Sequence, residues 1–293
     1  MLTGKKIAVI GGDDRYLHVI SYLSKKGATI YAVGFQEIKF EQNHVQQVDL
    51  QHIDFRTLDG IVLPIGGTNR FGAISTYYGG KEAILTKEIV VQTKPTCVIY
   101  TGTASDYLRN LAAECERKLV VLFERDDVAI ANSIPTAEAA LQLAMENTKY
   151  TIHGANVLVV GFGRIGVTIA RLFQNVGANV SVAARKDADF ARIREMRMSA
   201  IRMERLSDAM ENTDICINTV PKLVLTEEVL GRMNREGLII DLASKPGGTD
   251  FEATEKLGIQ ALHALGLPGK VAPKTAGLIL GETIAELVVR SAK

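Results

Sequence analysis

The sequence has almost no net charge and no long apolar run, and each shortage excludes a class of protein. Its 293 residues include 34 Lys and Arg against 33 Asp and Glu, so the formal net charge is +1. The sequence therefore lacks the surplus of basic residues that is typical of nucleic-acid-binding proteins. No apolar run approaches the roughly 20 residues that cross a bilayer. We therefore expect neither a nucleic-acid partner nor a membrane partner.

Cysteine and metal-ligand patterns are scarce as well. The three cysteines lie in apolar or helical contexts without C-x-x-C spacing (Cys97, Cys115 and Cys216), which favours buried, reduced thiols. The sequence has no H-E-x-x-H motif and no Cys–His spacing of a metal site, so no metal is predicted. The first residues run directly into a short strand without the apolar core of a signal peptide. These features predict a cytoplasmic protein.

Short apolar runs alternate with amphipathic stretches along nearly the whole chain, which is typical of parallel sheets covered by helices. The predicted strands are Lys6–Ile10, Thr29–Val33, Gly60–Leu63, Cys97–Tyr100, Leu119–Leu122, Asn156–Val160, Asn179–Ala183, Ile215–Asn218, Leu238–Asp241 and Gln260–Ala264. They fall evenly into two halves. The prediction is an α/β protein with two doubly wound, Rossmann-like domains and a cleft between them, the usual place for a small-molecule site.

Two predicted helices mark the domain boundaries. Pro135 is predicted to open a helix from Thr136 to Tyr150, because proline is favoured in a first helical turn. Near the C-terminus, Pro273 precedes apolar residues at helical spacing in Thr275–Ser291. The simplest architecture is discontinuous. Residues 1–135 and 273–293 form a substrate domain, and residues 136–272 form a nucleotide-binding domain with its linker helix.

The strongest motif is a G-x-G-x-x-G fingerprint that follows the predicted strand Asn156–Val160 and precedes a helical pattern. Gly161 permits the tight turn, Gly163 lets the backbone approach a pyrophosphate, and Gly166 lets the helix and strand pack closely. The N–H groups at the helix start then face the phosphates. The predicted phosphate site comprises Gly161, Gly163, Arg164, Ile165 and Gly166.

The end of the next strand bears on the choice of cofactor. NAD-binding folds usually place Asp or Glu there, to bond the ribose 2′-hydroxyl. Here the strand ends in Ala184, followed by Arg185 and Lys186. An acid would repel a 2′-phosphate, whereas Arg185 can meet it with a planar fork of donors. The prediction is NADP, and the alternative is that Arg185 and Lys186 are solvated surface cations.

Two further strand ends of this domain are predicted to flank the nicotinamide and its ribose, because ligands of doubly wound sheets lie beyond the carboxyl ends of the strands. Their cofactor-binding residues are Asn218, Thr219, Val220, Pro221, Leu242, Ala243 and Ser244. We expect Asn218, Thr219 and Ser244 to supply hydrogen bonds. Pro221 and Ala243 are interpreted as shaping the loops.

In the first domain, the turn after Lys6–Ile10 resembles a dinucleotide turn but lacks the third glycine. We predict that it binds a carboxylate of an anionic substrate, through Arg15 and backbone donors, with two threonines of another strand end orienting the substrate. The predicted substrate-binding residues are Gly12, Asp13, Arg15, Thr101 and Thr103. The alternatives are an ion pair of Arg15 with Asp13 or Asp14, and helix caps at Thr103 and Ser105. The loop Gly66–Arg70 is the next candidate anchor.

His263 is the histidine best placed for acid–base chemistry, because it ends the last predicted strand. It is therefore the candidate catalytic residue. A structural histidine at a strand end is the alternative.

Four motifs together resemble a known family. They are GGDxR at 11–15, the fingerprint, DLASxPGG at 241–248 and LPGKVAPKTAG at 267–277. Over essentially the whole chain they are similar to the A subunit of bacterial dipicolinate synthase. More distantly, SxPTAE at 133–138 resembles the D-2-hydroxy acid dehydrogenases. The catalytic arginine and histidine of that wider family have no counterparts here, since Ala243–Pro246 holds no arginine and 264–293 holds no histidine.

The resemblance implies an NADP-linked oxidation of dihydrodipicolinate, or of a hydroxylated precursor, to dipicolinate during sporulation. It also implies the mother cell as the location and, as partner, the flavoprotein-like B subunit of dipicolinate synthase, and we expect a homo-oligomer. Two alternatives stay open. One is an NADP-dependent dehydrogenase of another small carboxylic acid, and the other is a non-catalytic NADP-binding subunit.

Overall fold

The structure is a computed structural model of the chain, and it describes residues 1–80 and 82–290. The chain divides into two compact units. Unit 1 comprises Met1–Ala131 together with the segment that begins at Ala272, and unit 2 comprises Asn132–Val271. Ser291, the predicted end of the last helix, lies outside the described residues.

Fourteen strands are present in the described residues. They are β1 (Lys6–Ile10), β2 (Thr29–Val33), β3 (Val45–Gln47), β4 (Gly60–Val62), β5 (Ala73–Ile74), β6 (Ala83–Ile84), β7 (Val98–Thr101), β8 (Lys118–Val121), β9 (Asn156–Val160), β10 (Asn179–Ala184), β11 (Ser199–Arg202), β12 (Ile215–Asn218), β13 (Leu238–Asp241) and β14 (Gln260–His263).

Eleven α-helices accompany them in the described part of the chain. They are α1 (Asp14–Lys25), α2 (Lys87–Gln92), α3 (Asp106–Glu114), α4 (Asp126–Asn147), α5 (Arg164–Asn175), α6 (Asp187–Glu195), α7 (Leu206–Met210), α8 (Glu227–Leu230), α9 (Phe251–Leu257), α10 (Leu267–Val271) and α11 (Pro273–Arg290). Short 3-10 turns occupy Leu50–His52, Phe55–Thr57, Leu122–Glu124 and Met203–Arg205.

Each unit contains one six-stranded parallel sheet with the same strand order. In unit 1 the order is β3-β2-β1-β4-β7-β8, and in unit 2 it is β11-β10-β9-β12-β13-β14. The order reverses beside the first strand of each sheet, between β1 and β4 and between β9 and β12. Such a switch point leaves a crevice at the carboxyl ends of the strands, where ligands of doubly wound sheets bind. The predicted α/β class with two doubly wound domains is confirmed.

The central strands are apolar on both faces because helices cover both faces of each sheet. Ile7–Ile10 of β1 and Val159–Val160 of β9 are fully buried. In unit 1, Leu280, Ile284 and Val288 of α11 share a core with α1. A Cβ at Gly281 would lie 3.2 Å from the Cβ of Tyr22, so small residues let α11 approach α1 closely. The C-terminal helix is thus part of the unit 1 core.

The helix around Pro135 differs from the prediction. It begins at Asp126, not at Pro135, so the proline lies inside α4. Proline lacks the N–H that would bond the carbonyl of Ala131, a loss of about 3 kcal/mol in an ordinary helix interior. Packing on both sides of the proline retains the helix, since Val128 lies in a core of unit 1 and Ala137 in a core of unit 2. Propensity at a single residue is overridden by packing of the whole segment.

Several elements were not predicted. β3 and β11 are edge strands of three and four residues, with little apolar content. β5 and β6 form an antiparallel ribbon of two residues per strand, joined by residues 75–82. Runs this short carry no periodicity that a sequence pattern can report.

None of the helices in the described residues combines the length and apolar character needed to cross a bilayer. Within residues 1–80 and 82–290, no group of three or more His, Cys, Asp or Glu side chains is arranged to hold a metal ion. The three cysteines are buried and free.

Candidate functional site

The glycines of the unit 2 fingerprint are required by close backbone contacts. Gly161 has φ +102° and donates its N–H to the carbonyl of Ala183 at 2.9 Å. A Cβ at Gly161 would lie 2.5 Å from Oγ1 of Thr219, and a Cβ at Gly166 would overlap the Gly161 carbonyl oxygen. Side chains at these two positions would force the turn and α5 apart. The turn therefore depends on glycine for its shape.

Gly163 has a different role, because the space in front of it is open. It is the N-cap of α5, and it supplies no side-chain cap. A Cβ placed there would meet no atom of the described residues within 4 Å. The fold tolerates a side chain at this position, but an approaching phosphate would not. The helix start and this opening fit the pyrophosphate of a dinucleotide.

The loops after β12 and β13 are joined by a fully buried carboxylate. Oδ1 of Asp241 accepts from Nδ2 of Asn218 at 3.0 Å and from the N–H of Ala243 at 2.9 Å. Its Oδ2 accepts from the N–H of Gly248 at 2.9 Å. Oδ1 of Asn218 in turn accepts from the N–H of Val220. Asp241 thus holds together the two loops predicted to flank the nicotinamide.

This network changes the role of Asn218. Its side chain is fully buried, and both amide ends are used within the network. Thr219 donates its hydroxyl to the carbonyl of Val160 at 2.9 Å. The two polar side chains therefore shape the loop beside Gly161, whereas the prediction had them bond the ligand directly.

The carboxyl end of β10 is cationic. Ala184 is buried, and Arg185 and Lys186 after it are exposed. The nearest following acid, Asp187, accepts a hydrogen bond from Arg202 at 3.1 Å. Arg202 pairs in register with Ala184 and lies over the ring of Phe190. The position that carries an acid in NAD-binding folds is therefore occupied by a methyl group.

His263 lies beside the loop that follows β13. Its Nε2 is 3.3 Å from the carbonyl oxygen of Ala243, and its ring centroid is 5.3 Å from that of Phe251. The residue is exposed. The structure thus places the predicted catalytic histidine next to the predicted nicotinamide loop.

The turn after β1 in unit 1 is closed, although its backbone resembles the fingerprint. Asp13 caps α1 by accepting from the N–H of Arg15 at 3.2 Å. Its carboxylate also accepts from Nε of Arg15 at 2.9 Å and from Nη2 at 2.6 Å. The ion-pair alternative for Arg15 is thus present, with the guanidinium buried rather than exposed. The other donors of the planar group lie outside this pair.

Gly12 is not available as the predicted backbone donor. Its N–H is donated to the carbonyl of Ser75 at 3.2 Å, and the residue pairs with Thr76 in an isolated bridge. A Cβ on Gly12 would overlap the ring of Tyr16, whose hydroxyl bonds the carbonyl of Leu63 at 2.8 Å. The segment after β5 therefore covers the turn on which a pyrophosphate would lie.

A cavity of about 460 Å³ opens at the switch point of the unit 1 sheet. It lies between the loops after β1 and β4, and its size is within the range of small-molecule sites. Its lining comprises Asp13, Arg15, Pro64, Ile65, Gly66, Gly67, Thr68, Asn69, Ala73, Ile74, Ser75, Tyr77 and Glu82. The predicted anchor Arg15 and the alternative loop Gly66–Arg70 are thus brought together.

Thr101 and Thr103 bond the loop after β4 that lines this cavity. Thr101 is fully buried, and its hydroxyl lies within hydrogen-bond distance of the carbonyls of Pro64 and Thr103. Thr103 donates to the carbonyl of Ile65 at 3.0 Å. Both hydroxyls hold the loop after β4 in place. The prediction that they orient a ligand directly differs from this geometry, because their donors are used within the protein.

Sequence reasoning missed the ribbon residues and Asp241. Tyr77 lines the cavity, and Tyr78 donates its hydroxyl to Asp14 and stacks on Phe35 with ring centroids 5.9 Å apart. No pattern marks them, because the loop that carries them joins two-residue strands. For Asp241 a signal exists, since a charged residue ending a fully apolar strand requires buried partners.

Two family descriptions match the two parts of the chain. Residues 6–123 match the family described as the N-terminal domain of the dipicolinate synthase A subunit. Residues 129–244 match "D-isomer specific 2-hydroxyacid dehydrogenase, NAD binding domain". With the open fingerprint of unit 2, these matches define a dinucleotide-binding protein of the dehydrogenase class.

A curated relative covers nearly the full length. The dipicolinate synthase A subunit of Bacillus subtilis (strain 168) is 48% identical over 288 residues, which are 98% of this chain and 97% of that protein. The chain therefore belongs to the family of dipicolinate synthase A subunits. The resemblance inferred from the four motifs is confirmed.

Solved structures agree. The dipicolinate synthase A subunit from Bacillus halodurans has a TM-score of 0.96 at 46% identity, covering 98% of this chain and 99% of that one. The dipicolinate synthase A chain from Bacillus subtilis also has a TM-score of 0.96, at 48% identity, covering 100% and 98%. A transhydrogenase from Sinorhizobium meliloti, with a TM-score of 0.69 at 15% identity over 97% and 94% of the two chains, shares the fold.

Proposed function

We propose that this chain oxidises dihydrodipicolinate, or the hydroxylated precursor that yields it by loss of water, to dipicolinate with NADP⁺ as hydride acceptor. The proposal includes the mother cell of a sporulating bacterium as the setting and, as partner, the flavoprotein-like B subunit. It is supported by the near full-length similarity to proteins named as the A subunit of dipicolinate synthase. It is supported also by an open fingerprint in unit 2 and a small cavity in unit 1.

The reaction makes modest demands on protein groups. The dihydro ring loses a hydride and a proton and becomes a pyridine, and bound NADP⁺ would supply the hydride acceptor. Aromatisation supplies much of the driving force, so the protein has mainly to bind and orient the dicarboxylate. In unit 2, the backbone from Gly163 to Gly166 receives the pyrophosphate, and the loops joined by Asp241 shape the nicotinamide end.

The observation that carries the choice of NADP is the end of β10. Ala184 is buried and provides no carboxylate to bond a ribose 2′-hydroxyl. The exposed Arg185 that follows it has a planar guanidinium that can donate hydrogen bonds to a 2′-phosphate. Arg185→Ala should weaken NADPH binding by about 1.5–3 kcal/mol, the range for hydrogen bonds to charged groups, and leave NADH binding nearly unchanged. Calorimetric titration of both cofactors measures this.

Arg192 provides the matched control. It is an exposed arginine of α6 that pairs with Glu195 at 3.0 Å. Arg192→Ala should leave both affinities as in the parent. Equal losses of NADPH and NADH binding in Arg185→Ala would contradict the assignment of the 2′-phosphate site.

For the substrate, the proposal assigns one carboxylate to Arg15 through the donors that Asp13 does not use. Arg15→Ala should lower turnover at least about tenfold, equivalent to about 1.4 kcal/mol, with NADPH affinity intact. The assay follows dihydrodipicolinate and NADP⁺ with the full chain, first without and then with the B subunit. Turnover absent from both preparations of the parent would overturn the proposed reaction. Parent-like turnover in Arg15→Ala would transfer the anchor to Gly66–Arg70.

His263 is proposed to accept the ring proton, because it is the acid–base group beside the loop after β13. His263→Asn keeps a polar side chain there. It should lower kcat, with NADPH affinity retained. An unchanged kcat would assign the imidazole a purely structural contact with Ala243 and Phe251.

A further inference from the structure

The unit 1 cavity contains an aromatic ring to which the proposed reaction has assigned no role. Tyr77 lines the cavity and is 65% exposed. We propose that Tyr77 stacks on the ring of the bound dicarboxylate and determines specificity for a planar six-membered ring. This inference rests on the function proposed above and names the residue that would select the ring.

The ribbon holds Tyr77 at the cavity from both sides. Before it, Thr76 pairs with Gly12 in a parallel bridge. After it, the hydroxyl of Tyr78 donates to Asp14, and its ring stacks on Phe35 at an interplanar angle of 22°. Residues 77–79 form a bend, and the side chain of Tyr77 is exposed at the cavity between half-buried Thr76 and Tyr78. The Tyr77 hydroxyl has no hydrogen-bond partner among residues 1–80 and 82–290.

Charge alone does not account for ligand choice in this cavity. The cavity is lined by one basic side chain, Arg15, and by two acidic side chains, Asp13 and Glu82. Asp13 already occupies one edge of the Arg15 guanidinium. The charged side chains that line the cavity therefore give a dicarboxylate no net positive charge. Contact with the exposed Tyr77 ring supplies the selectivity that charge does not, because an aromatic face contacts any flat ring over its whole area.

The chemistry of the proposed reaction makes ring shape informative. The substrate is a partly reduced, puckered ring, whereas the product is a flat pyridine, and the transition state lies between them. A flat tyrosine face has more contact with the flattened ring than with the puckered one. Tyr77 would thus favour the transition state and the product over the substrate, which is the form of binding that raises rate.

The test compares two acids of equal charge and different shape. Dipicolinate is planar and cis-cyclohexane-1,3-dicarboxylate is saturated and puckered, both are dianions at neutral pH, and each is titrated calorimetrically into the full chain with saturating NADP⁺. The parent should prefer the planar acid by at least about tenfold. Tyr77→Ala should reduce that preference to about twofold or less, and Tyr77→Phe should retain it, because the hydroxyl has no partner to lose.

Phe71 supplies the matched control. It is 68% exposed just before the same ribbon, but its face is covered by the Arg70 guanidinium at 4.8 Å, and it does not line the cavity. Phe71→Ala should keep the planar preference, and thermal melts should show all variants folded. A parent that prefers the planar acid together with a Tyr77→Ala variant that prefers it equally would overturn the role of Tyr77. A parent that binds neither acid would overturn the proposed function itself.

Discussion

The first turn of each unit has the same backbone arrangement, but the two turns carry different side chains. Gly11 donates its N–H to the neighbouring strand in unit 1, at 2.8 Å, just as Gly161 does in unit 2, at 2.9 Å. Two residues later each turn reaches the N-cap of the first helix, which is Asp13 in unit 1 and Gly163 in unit 2. The backbone frame is common to both. The side chains placed on it differ.

Those side chains decide which turn can hold a phosphate. In unit 1 the carboxylate of Asp13 occupies the helix start, and Tyr16 stands where unit 2 has Gly166. An anion would meet a fixed negative charge at Asp13, whereas at Gly163 it would meet free space and the positive end of a helix dipole. A doubly wound sheet therefore offers a crevice, and the N-cap and the third helical residue determine its ligand.

The largest expected effect comes from transferring the unit 1 N-cap into unit 2. Gly163→Asp should leave stability unchanged or slightly higher, because Asp is a better N-cap than Gly. NADPH binding should fall at least about 100-fold, or about 2.7 kcal/mol, since the carboxylate fills and charges the phosphate position. Calorimetric titration and thermal melts of the same preparation measure the two quantities.

Gly66→Ala is the control for this change. Gly66 lines the unit 1 cavity, and a Cβ there meets no described atom within 4 Å. NADPH affinity should be that of the parent. Undiminished NADPH binding in Gly163→Asp would show that the pyrophosphate does not lie at this turn.

The sequence predicts the parts of these turns that depend on local features, and it does not predict the parts that depend on long-range contacts. β1 and β9 and the spacing from Gly161 to Gly166 follow from apolar runs and glycines, which are local features. The pairing of Asp13 with Arg15 was left as an alternative, because a local sequence pattern does not say whether the Arg15 guanidinium bonds a ligand or the neighbouring carboxylate. The covering of Gly12 by Ser75 and Thr76 is a long-range contact of a very short ribbon, and no pattern indicates it.

The second effect is on stability. Gly12 has φ +118°, and a Cβ there would overlap the ring of Tyr16, which is itself fixed in the core. Gly12→Ala should destabilise unit 1 by about 1–3 kcal/mol, the cost of a strained backbone position. Gly163→Ala should not, since its space is open. Urea unfolding measures both, and equal loss in the two variants would contradict the difference drawn between the turns.

The smallest effect concerns pH. Burial lowers the pKa of His18, the nearby Lys274 lowers it further, and Asp14 opposes them. A histidine whose pKa is depressed in the folded state binds fewer protons there than in the unfolded chain. Stability should therefore fall as pH drops below about 6.5, the pKa of an unperturbed histidine. The corresponding position in unit 2 is Thr168, which does not titrate.

His18→Gln should flatten that dependence. Between pH 7.5 and 5.5 the melting temperature of the parent should fall more than that of the variant. A variant with an equal or steeper fall would show that other groups, and not His18, set the response.

The measurement that tests the comparison most directly is the number of NADPH molecules bound per chain. Calorimetric titration should give one per chain for the parent, because the unit 1 turn is closed by Asp13, Tyr16 and the ribbon, and that one site should be at least about 100-fold weaker in Gly163→Asp. Two molecules per chain in the parent, or one bound with the parent's affinity in Gly163→Asp, would contradict the account.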